Sequence, residues 1–336
     1  MAALSTLFPN LADLVKQLDP DGSVADLVEI LNQQNDALHD IHFVEGNLPT
    51  GNRSVIRAGI PTPTWRKLYG GILPSKSLYA TVTDNCGELA ALSEVDVKLA
   101  DLAGAGKSAF LLNEARGQIE GMNQEAMSTF LYGNEGTEPE AFTGLTPRYN
   151  STSANNGDHV ILGGSTDTDN QSIWLVYWGP NIHGIFPKGS KAGLQVRDDG
   201  EVWVEDASNG SNTGRMRAYR TSFGWDLGLT VRDWRSAVRI CNIDMSLLNA
   251  TGTGSSAVLP DLMFEAMEVI PSAAQIGNPA FYASRTVITR LRQQLANKVA
   301  NSTLMIEEVG GKKVMTFQGI PIRRVDALAA SETLVA

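Results

Sequence analysis

The chain has 336 residues, 43% of them hydrophobic, and a formal net charge of −10. That length and apolar content support a sizeable core in one large domain or two to three smaller ones, and the negative balance argues against a general nucleic-acid binder. No apolar run reaches the roughly 18 residues that span a bilayer, and "MAALSTLFPNL" lacks the basic start of a secretion signal. Cys86 and Cys241 have no metal-type spacing. They read as reduced, partly buried thiols, with a single disulfide as the alternative.

The first 45 residues read as two short helices. "NLADLVKQL" stops at the turn "DPDG", and "SVADLVEILNQQNDALHDI" starts at Ser23, with Asp26 completing a capping pair. Val24, Leu27, Leu31 and Leu38 make an apolar stripe. The stripe faces either the chain's own core or a neighbouring copy, which makes Leu27, Leu31 and Leu38 candidate contacts. His39 and His42 share a helix face at i, i+3. Zinc takes three or four protein ligands, no third lies nearby, and the pair reads as a solvated helix end.

From Glu45 to Gly87 the character changes. Pro49, Pro61, Pro63 and Pro74 are spread through it, and the β-type runs "RSVIRAGI" and "SLYATVTD" flank the proline region. The pattern predicts a long extended hairpin with little core of its own. Excursions of that length are unusual in a compact domain unless they are functional, so it is expected to pack on a partner through Trp65, Arg66, Lys67 and Tyr69.

"DLAGAGKS", from Asp101 to Ser108, resembles half of a phosphate-binding loop. Gly106, Lys107 and Ser108 match its second half, but Asp101 stands where the first glycine belongs. The stretch before it, "SEVDVKLADLA", reads as a helix, with Ser93 and Asp96 as a capping pair and Val95, Leu99 and Leu102 at helical spacing. A helix that stops at Gly104 and restarts near Lys107 is the stronger reading. A nucleotide-binding enzyme acting through Gly106, Lys107 and Ser108 is the weaker one.

Residues 107–132 predict a long helix, with Leu112, Ala115, Ile119, Met122, Ala126 and Phe130 stepping by threes and fours. Gly117 and Gly121 weaken it by about 1 kcal/mol each, a liability if the helix is exposed and a means of close contact if it is packed. Gly133 is the expected C-cap. Residues 150–246 read as β-rich: "SIWLVYWG" as a strand buried on both faces, "LQVRDDGEVWVED" as a hairpin turning at Asp199-Gly200, and "TSFGWDLGLTVRDWRSAVRICNID" as alternating. "LPDLMFEAMEVI" predicts a helix with Pro260 in its first turn. "YASRTVITRLRQQLANKVAN" predicts another, with Val287, Leu291, Leu295 and Val299 four apart. "TLMIEEVGGKKVMTFQGIPIRRVDAL" predicts a closing hairpin around Gly310-Gly311.

Chemical motifs are sparse. Asp167 and Asp169 in "STDTDN" lack the glycine and final glutamate of a calcium loop. G-x-S-x-G, H-E-x-x-H and C-x-x-C do not occur, and no catalytic, cofactor-binding or metal-ligating residue is assigned. Arg215, Arg217 and Arg220 precede Phe223 and Trp225, and Arg232, Arg235 and Arg239 surround Trp234. Arginine with aromatics binds nucleic acid by phosphate contact and stacking and also enriches protein interfaces. Asp226, Asp233 and Asp244 dilute the positive potential, which favours subunit contacts and makes Arg232, Trp234 and Arg235 candidates.

The order of parts resembles the major capsid proteins of tailed bacteriophages, which share the Hong Kong 97 phage capsid fold. The phrases that carry the likeness are "LYGN" to "FTGLTPRY", "SIWLVYWGPNIHGIFPKGSKAGL" and "FQGIPIRRVDAL". The nearest likeness is to short-tailed phages whose shells carry a cement protein. The resemblance implies an α+β fold with an N-terminal arm (1–45), an extended β-hairpin loop (46–87) and a spine helix (107–132). It implies a β-rich peripheral domain over 88–149 and part of 150–246. A mixed axial domain would take the rest of that stretch with 247–336 and its closing hairpin. It further implies a structural, non-enzymatic protein without cofactors, assembling as hexamers and pentamers around double-stranded DNA. The DNA would lie on the inner face without sequence specificity. The implied partners are other copies of the chain, a cement or decoration protein and a portal, with no membrane. The implied location is the virion, the chain being made in the cytoplasm of a bacterial host. No long charged helical segment precedes the arm, which points to a separate scaffolding protein or a processed chain. Some relatives cross-link a lysine to an asparagine. Lys67 and Lys76 lie in the loop, but no partner is identified, so no cross-link is assigned. Another virion component, a tail or decoration protein, is the alternative.

Overall fold

The computed structural model describes residues 33–165, 168–205, 214–254, 256–297, 304–309 and 312–336, together with Pro9, Asp13, Leu14 and Gln17. In chain order the elements are α1 (Ala37–Asp40), β1 (Phe43–Glu45), β2 (Gly51–Gly59), β3 (Leu78–Asp96), α2 (Val97–Leu102) and α3 (Lys107–Tyr132). There follow β4 (Val160–Leu162), β5 (Asn170–Trp178), β6 (Ile182–Phe186), β7 (Gln195–Glu205), β8 (Arg215–Val231) and β9 (Ala237–Asp244). The last are α4 (Leu259–Val269), β10 (Asn278–Ala283), α5 (Arg285–Asn297), β11 (Leu304–Val309), β12 (Lys312–Phe317) and β13 (Ile320–Arg324). The chain forms two compact units, 1–33 with 88–126 and 193–226, and 34–87 with 127–192 and 227–336.

The larger unit is built on a sheet ordered β11-β12-β13-β10-β5-β9-β4. The interior strand β5, between β10 and β9, is buried at every position, in keeping with the unbroken apolar run "IWLVYW". The two faces of β5 do different work. Ile173, Leu175 and Tyr177 join Met263 and Ala266 of α4 and Val287, Leu291 and Leu295 of α5 in the main core. Trp174 and Trp178 point the other way, Trp174 edge-on to Tyr149 with centroids 5.6 Å apart and Trp178 against Tyr282 at 6.4 Å.

That second face holds a buried ion pair. Arg239 and Glu332 meet at 2.8 Å with side chains 2% and 4% exposed. The guanidinium also donates to Ser172 Oγ at 3.0 Å and to the Tyr149 carbonyl at 2.9 Å, and stands 5.5 Å from the Trp174 ring centroid. Ser172 donates to the same Glu332 oxygen, and Tyr132 donates to the other at 2.5 Å. Burial and the adjacent carboxylate hold the Tyr132 phenol well above its usual range. The segment after β13 is thereby strapped to the sheet, and Asn242 adds a two-way bond with the Val335 backbone at 2.8 and 3.0 Å. Arg239 is thus an interior residue, not part of an exposed basic patch.

The smaller unit packs Leu14, Val95, Leu99, Ala100, Ala103 and Phe110 into its own core. β7 lies antiparallel to β8, from Gln195↔Gly224 to Glu205↔Arg215. Asp199-Gly200 does not turn a hairpin: one strand runs through it, with a register shift between Asp198 and Gly200 and Gly200 at φ +67°. A bulge needs the same left-handed glycine as a tight turn. β3 runs to Asp96, so the helix cap is Asp96 and not Ser93. The Asp96 carboxylate accepts from Lys98 N at 2.7 Å and Leu99 N at 3.4 Å. Gly104, at φ +55°, stops α2, and α3 starts at Lys107.

Three further expectations change. Residues 33–36 are not helical, so no helix runs unbroken from Ser23 to Ile41, and His42 lies beyond the end of α1. Tyr282 and Ala283 belong to β10 rather than to a helix. The closing hairpin continues past a turn at Gln318-Gly319 into β13. Both thiols are free. Leu27, Leu31, Asp167, Val299, Gly310 and Gly311 lie outside the described residues.

Breaking a buried pair by removing one partner costs about 3–5 kcal/mol, because it strands a charge. Glu332→Gln, which keeps shape and removes charge, is expected to lower stability by that amount, measured by urea unfolding of the purified chain.

Candidate functional site

The hairpin of β2 and β3 is anchored at one end and bare at the other. At its base, Gly51 pairs with Asn85 and the ladder runs to Gly59↔Leu78. Gly51, at φ +153°, lies so close to the next strand that a Cβ would meet the Asp84 carbonyl at 2.1 Å, so a side chain is excluded there. Asp84 is 3% exposed and pairs with Arg148 at 2.8 Å. Arg148 also donates to the carbonyls of Thr143, Gly144 and Leu229 at 3.2–3.4 Å. Asn85 donates to Glu135 at 2.5 Å, and Asn47 bridges to the Arg53 backbone in both directions at 2.7 Å.

Residues 60–77 lie beyond this ladder and form neither helix nor strand. Prolines at 61, 63 and 74 remove N–H donors and keep their preceding residues extended. The tip bends where Gly70 N donates to Lys67 O and Arg66 Nε to Gly70 O, both at 3.0 Å. Tyr69 sits at φ +63°, a left-handed conformation that a bulky residue adopts at a cost. Trp65 and Tyr69 are fully exposed, at 105% and 101% of their reference areas. Ile60, Leu68, Ile72 and Leu73 are largely exposed beside them. The sequence reading named Trp65, Arg66, Lys67 and Tyr69 and missed these four aliphatics. Their signal was an apolar set without strand or helix period, bracketed by prolines. So much apolar area on one segment is the mark of an interaction surface.

The other candidates are dispersed. Leu38 is half-buried in α1. Arg232 is exposed and Trp234 is 37% exposed. Both line a cavity of about 290 Å³ with Ile56, Val82 and Val231, so they adjoin the hairpin's flank. Arg235 is bound to Asp233 at 2.8 Å, and the Trp234 ring is met edge-on by buried His159 at 5.0 Å. In the smaller unit Arg217 pairs with Glu201 and Arg220 with Glu94, each at 2.6 Å, while Phe223 is buried. Among the described residues, four of the six arginines of the basic-aromatic stretch therefore have carboxylate partners.

Lys107 does not behave as a phosphate-loop lysine. Its ammonium bonds Asp101 and the Tyr219 hydroxyl, each at 2.8 Å, and those bonds raise its pKa. Among the described residues, no group of three or more His, Cys, Asp or Glu could hold a metal, and no helix is long and apolar enough to cross a membrane.

A second cavity, of about 840 Å³, gathers His39, His42, His183, Asp40, Glu45 and Arg232. His183 is buried and donates from Nδ1 to the Gly179 carbonyl at 3.2 Å. Burial, then the positive charges of Arg232 and His42, lower its pKa, while the Gly179 bond and Asp84 oppose them.

The family model for "Major capsid protein GP7" matches residues 19–336. A near-atomic structure of bacteriophage Epsilon15 is 35% identical over 100% of both chains, with a TM-score of 0.80. The capsid of bacteriophage JBD30 is 12% identical, covering 97% of this chain and 96% of its own, with a TM-score of 0.42. No curated protein matches.

Trp65 touches little within its own chain, so Trp65→Ser is expected to leave stability within about 0.5 kcal/mol, checked by urea unfolding. A histidine held neutral by burial stabilises the fold above its ordinary pKa of 6.5, and that contribution is lost as pH falls through the lowered folded value. Stability should therefore drop on acidification below pH 6.5, and His183→Gln should flatten part of that slope in unfolding curves recorded against pH.

Proposed function

The chain belongs to the major capsid protein GP7 family, and from that premise we propose that its bare hairpin tip is the segment by which copies grip one another in the shell. A member of this family is a structural protein of an icosahedral virion shell, with the Hong Kong 97 phage capsid fold, and the family is not a class of enzyme. The reading extends that statement. Copies assemble as hexamers and pentamers around double-stranded DNA, in the cytoplasm of a bacterial host. Residues 1–45 serve as the arm and 46–87 as the extended loop. Residues 107–132 are the spine, and the remainder divides into peripheral and axial parts. A separate scaffolding protein, a cement protein and a portal are its further partners.

The observation that carries the reading is the contrast between the two ends of the hairpin. The base is fixed by the pairing of buried Asp84 with half-buried Arg148 and by a glycine too close to its neighbour for any side chain. The tip presents Trp65 and Tyr69 to solvent with almost no cover from its own chain. A rigid lever with an apolar end gains its burial from another molecule, and aromatic anchors supply most of the energy of such contacts. Covering Trp65, Leu68, Tyr69 and Leu73 is worth about 1.5–3 kcal/mol each. The net negative charge suits a container wall that does not grip its cargo.

The test is removal of residues 60–77, joining Gly59 to Leu78 through a two-residue turn. The variant is expected to fold with unchanged circular dichroism and to form no shells by electron microscopy and light scattering. Normal shells from this variant would overturn the assignment of the tip.

A further inference from the structure

The two helices that cover one face of the main sheet carry opposite charge. α4, "LPDLMFEAMEV", has Asp261, Glu265 and Glu268 and no basic residue. α5, "RTVITRLRQQLAN", has Arg285, Arg290 and Arg292 and no acidic residue. Asp261, Phe264, Glu265 and Glu268 stand at i, i+3, i+4 and i+7, which is a single helix face. All four are exposed.

Two of these charges work against the helix that carries them. Arg285 is the first residue of α5 and Glu268 the last but one of α4. Each therefore opposes the dipole of its own helix, which favours acids at the start and bases at the end. Among the described residues, Glu265 and Glu268 have no cationic partner, and the α5 arginines have no carboxylate. Arg290 donates to Gln293 at 3.0 Å, and Arg292 to the Met315 sulfur at 3.1 Å.

Beside α5 lies a groove of about 570 Å³ whose rim holds Arg285, Arg292, Arg323 and Arg324. Its apolar floor is Ile288, Met315 and Ile322. Asp36, Asp40 and His39 also line it. Asp40 is taken by Arg323 at 3.2 Å, and Arg324 pairs with Asp326 at 2.7 Å. Among the described residues, Arg285 and Arg292 have no such partner, and set against the one remaining carboxylate, Asp36, they leave the groove net positive.

We propose that the acidic face of α4 in one copy docks into the arginine-rimmed groove beside α5 of a second copy of this chain. Glu265 and Glu268 meet Arg285 and Arg292, and the exposed edge of Phe264, whose ring packs on Phe317 of its own chain at 4.9 Å, lies over the apolar floor. The two surfaces are different and complementary, so the contact is head-to-tail and closes into rings when its rotation allows. The proposal rests on the assembly reading above but uses residues remote in sequence from the hairpin. Being charged at its rim, the contact weakens with salt.

Charge reversal tests it in the full-length chain. Arg285→Glu with Arg292→Glu, or Glu265→Arg with Glu268→Arg, should each abolish rings and shells by analytical ultracentrifugation and electron microscopy. Each variant should keep the circular dichroism of the unmutated protein. A one-to-one mixture of the two variants should recover association, because acidic faces again meet basic ones. Where reversal disturbs folding, Arg285→Gln with Arg292→Gln replaces it and should weaken association at least tenfold. Normal assembly by the reversed variants, or a mixture that stays dissociated, overturns the proposal while shells from the unmutated chain keep the assembly reading intact. Shells of normal size with less DNA would give the groove to phosphate and overturn it as well. An unmutated chain that never associates removes both readings together.

Discussion

Arg239 and Glu332 meet where water does not reach, and the order of the larger unit follows from that meeting. A guanidinium and a carboxylate in the interior each cost several kcal/mol to desolvate, and the cost is offset only when every donor and acceptor is engaged. Here the guanidinium uses Glu332, Ser172 and the Tyr149 carbonyl, and the carboxylate uses Arg239, Ser172 and Tyr132. The partners come from β9, β5, the end of α3 and the terminal segment. No subset of these can sit correctly without the rest. The pair therefore acts less as a source of stability than as a specification of which segments belong together.

The opposite condition holds at the hairpin. Its base is held by the Arg148–Asp84 pair and the Asn85–Glu135 bond, with one Asp84 oxygen left without a partner. Its tip has aromatic and aliphatic side chains with nothing to cover them. Burial drives folding in proportion to apolar area removed from water, so a fold that leaves Trp65, Leu68, Tyr69 and Leu73 outside has kept that driving force in reserve. The strained backbone at Tyr69 is of the same kind: a local cost that persists only where something else repays it. A chain that is stable as a unit and incomplete as a surface is what a shell requires.

Much of this was legible in the sequence, because period and punctuation are local. The limits of α3 were written in "GAGK" and "LYGN", and the burial of β5 in an apolar run with no alternation. The extended hairpin was written in two β-type runs separated by prolines. What was not legible depended on distance or on ambiguity of cause. Arg239 sat among exposed arginines in the sequence, and its true partner lies 93 residues away. Gly200 satisfied the rule for a tight turn, but a bulge imposes the same demand on φ, and only the pairing of β7 along β8 decides between them. Ser93 and Asp96 both suit a cap, and the length of β3 made the choice. The four aliphatics of the tip were overlooked because an apolar residue is ordinarily read as core.

The charges of α4 and α5 show why the surface is harder to read than the core. Along a core strand, every residue type answers to one environment, so pattern alone identifies it. On an exposed helix, propensity and dipole give weak preferences of a few tenths of a kcal/mol, and a violation is easily dismissed. Yet Arg285 at a helix start and Glu268 at a helix end are each locally unfavourable, and they fall on adjacent helices with opposite sign. Sequences that fold agree with their structure at most levels, and the disagreements gather where another demand is met. One misplaced charge is noise. Two complementary sets, on one face of one unit, with a groove of matching chemistry beside them, are a constraint set by a second copy of the chain.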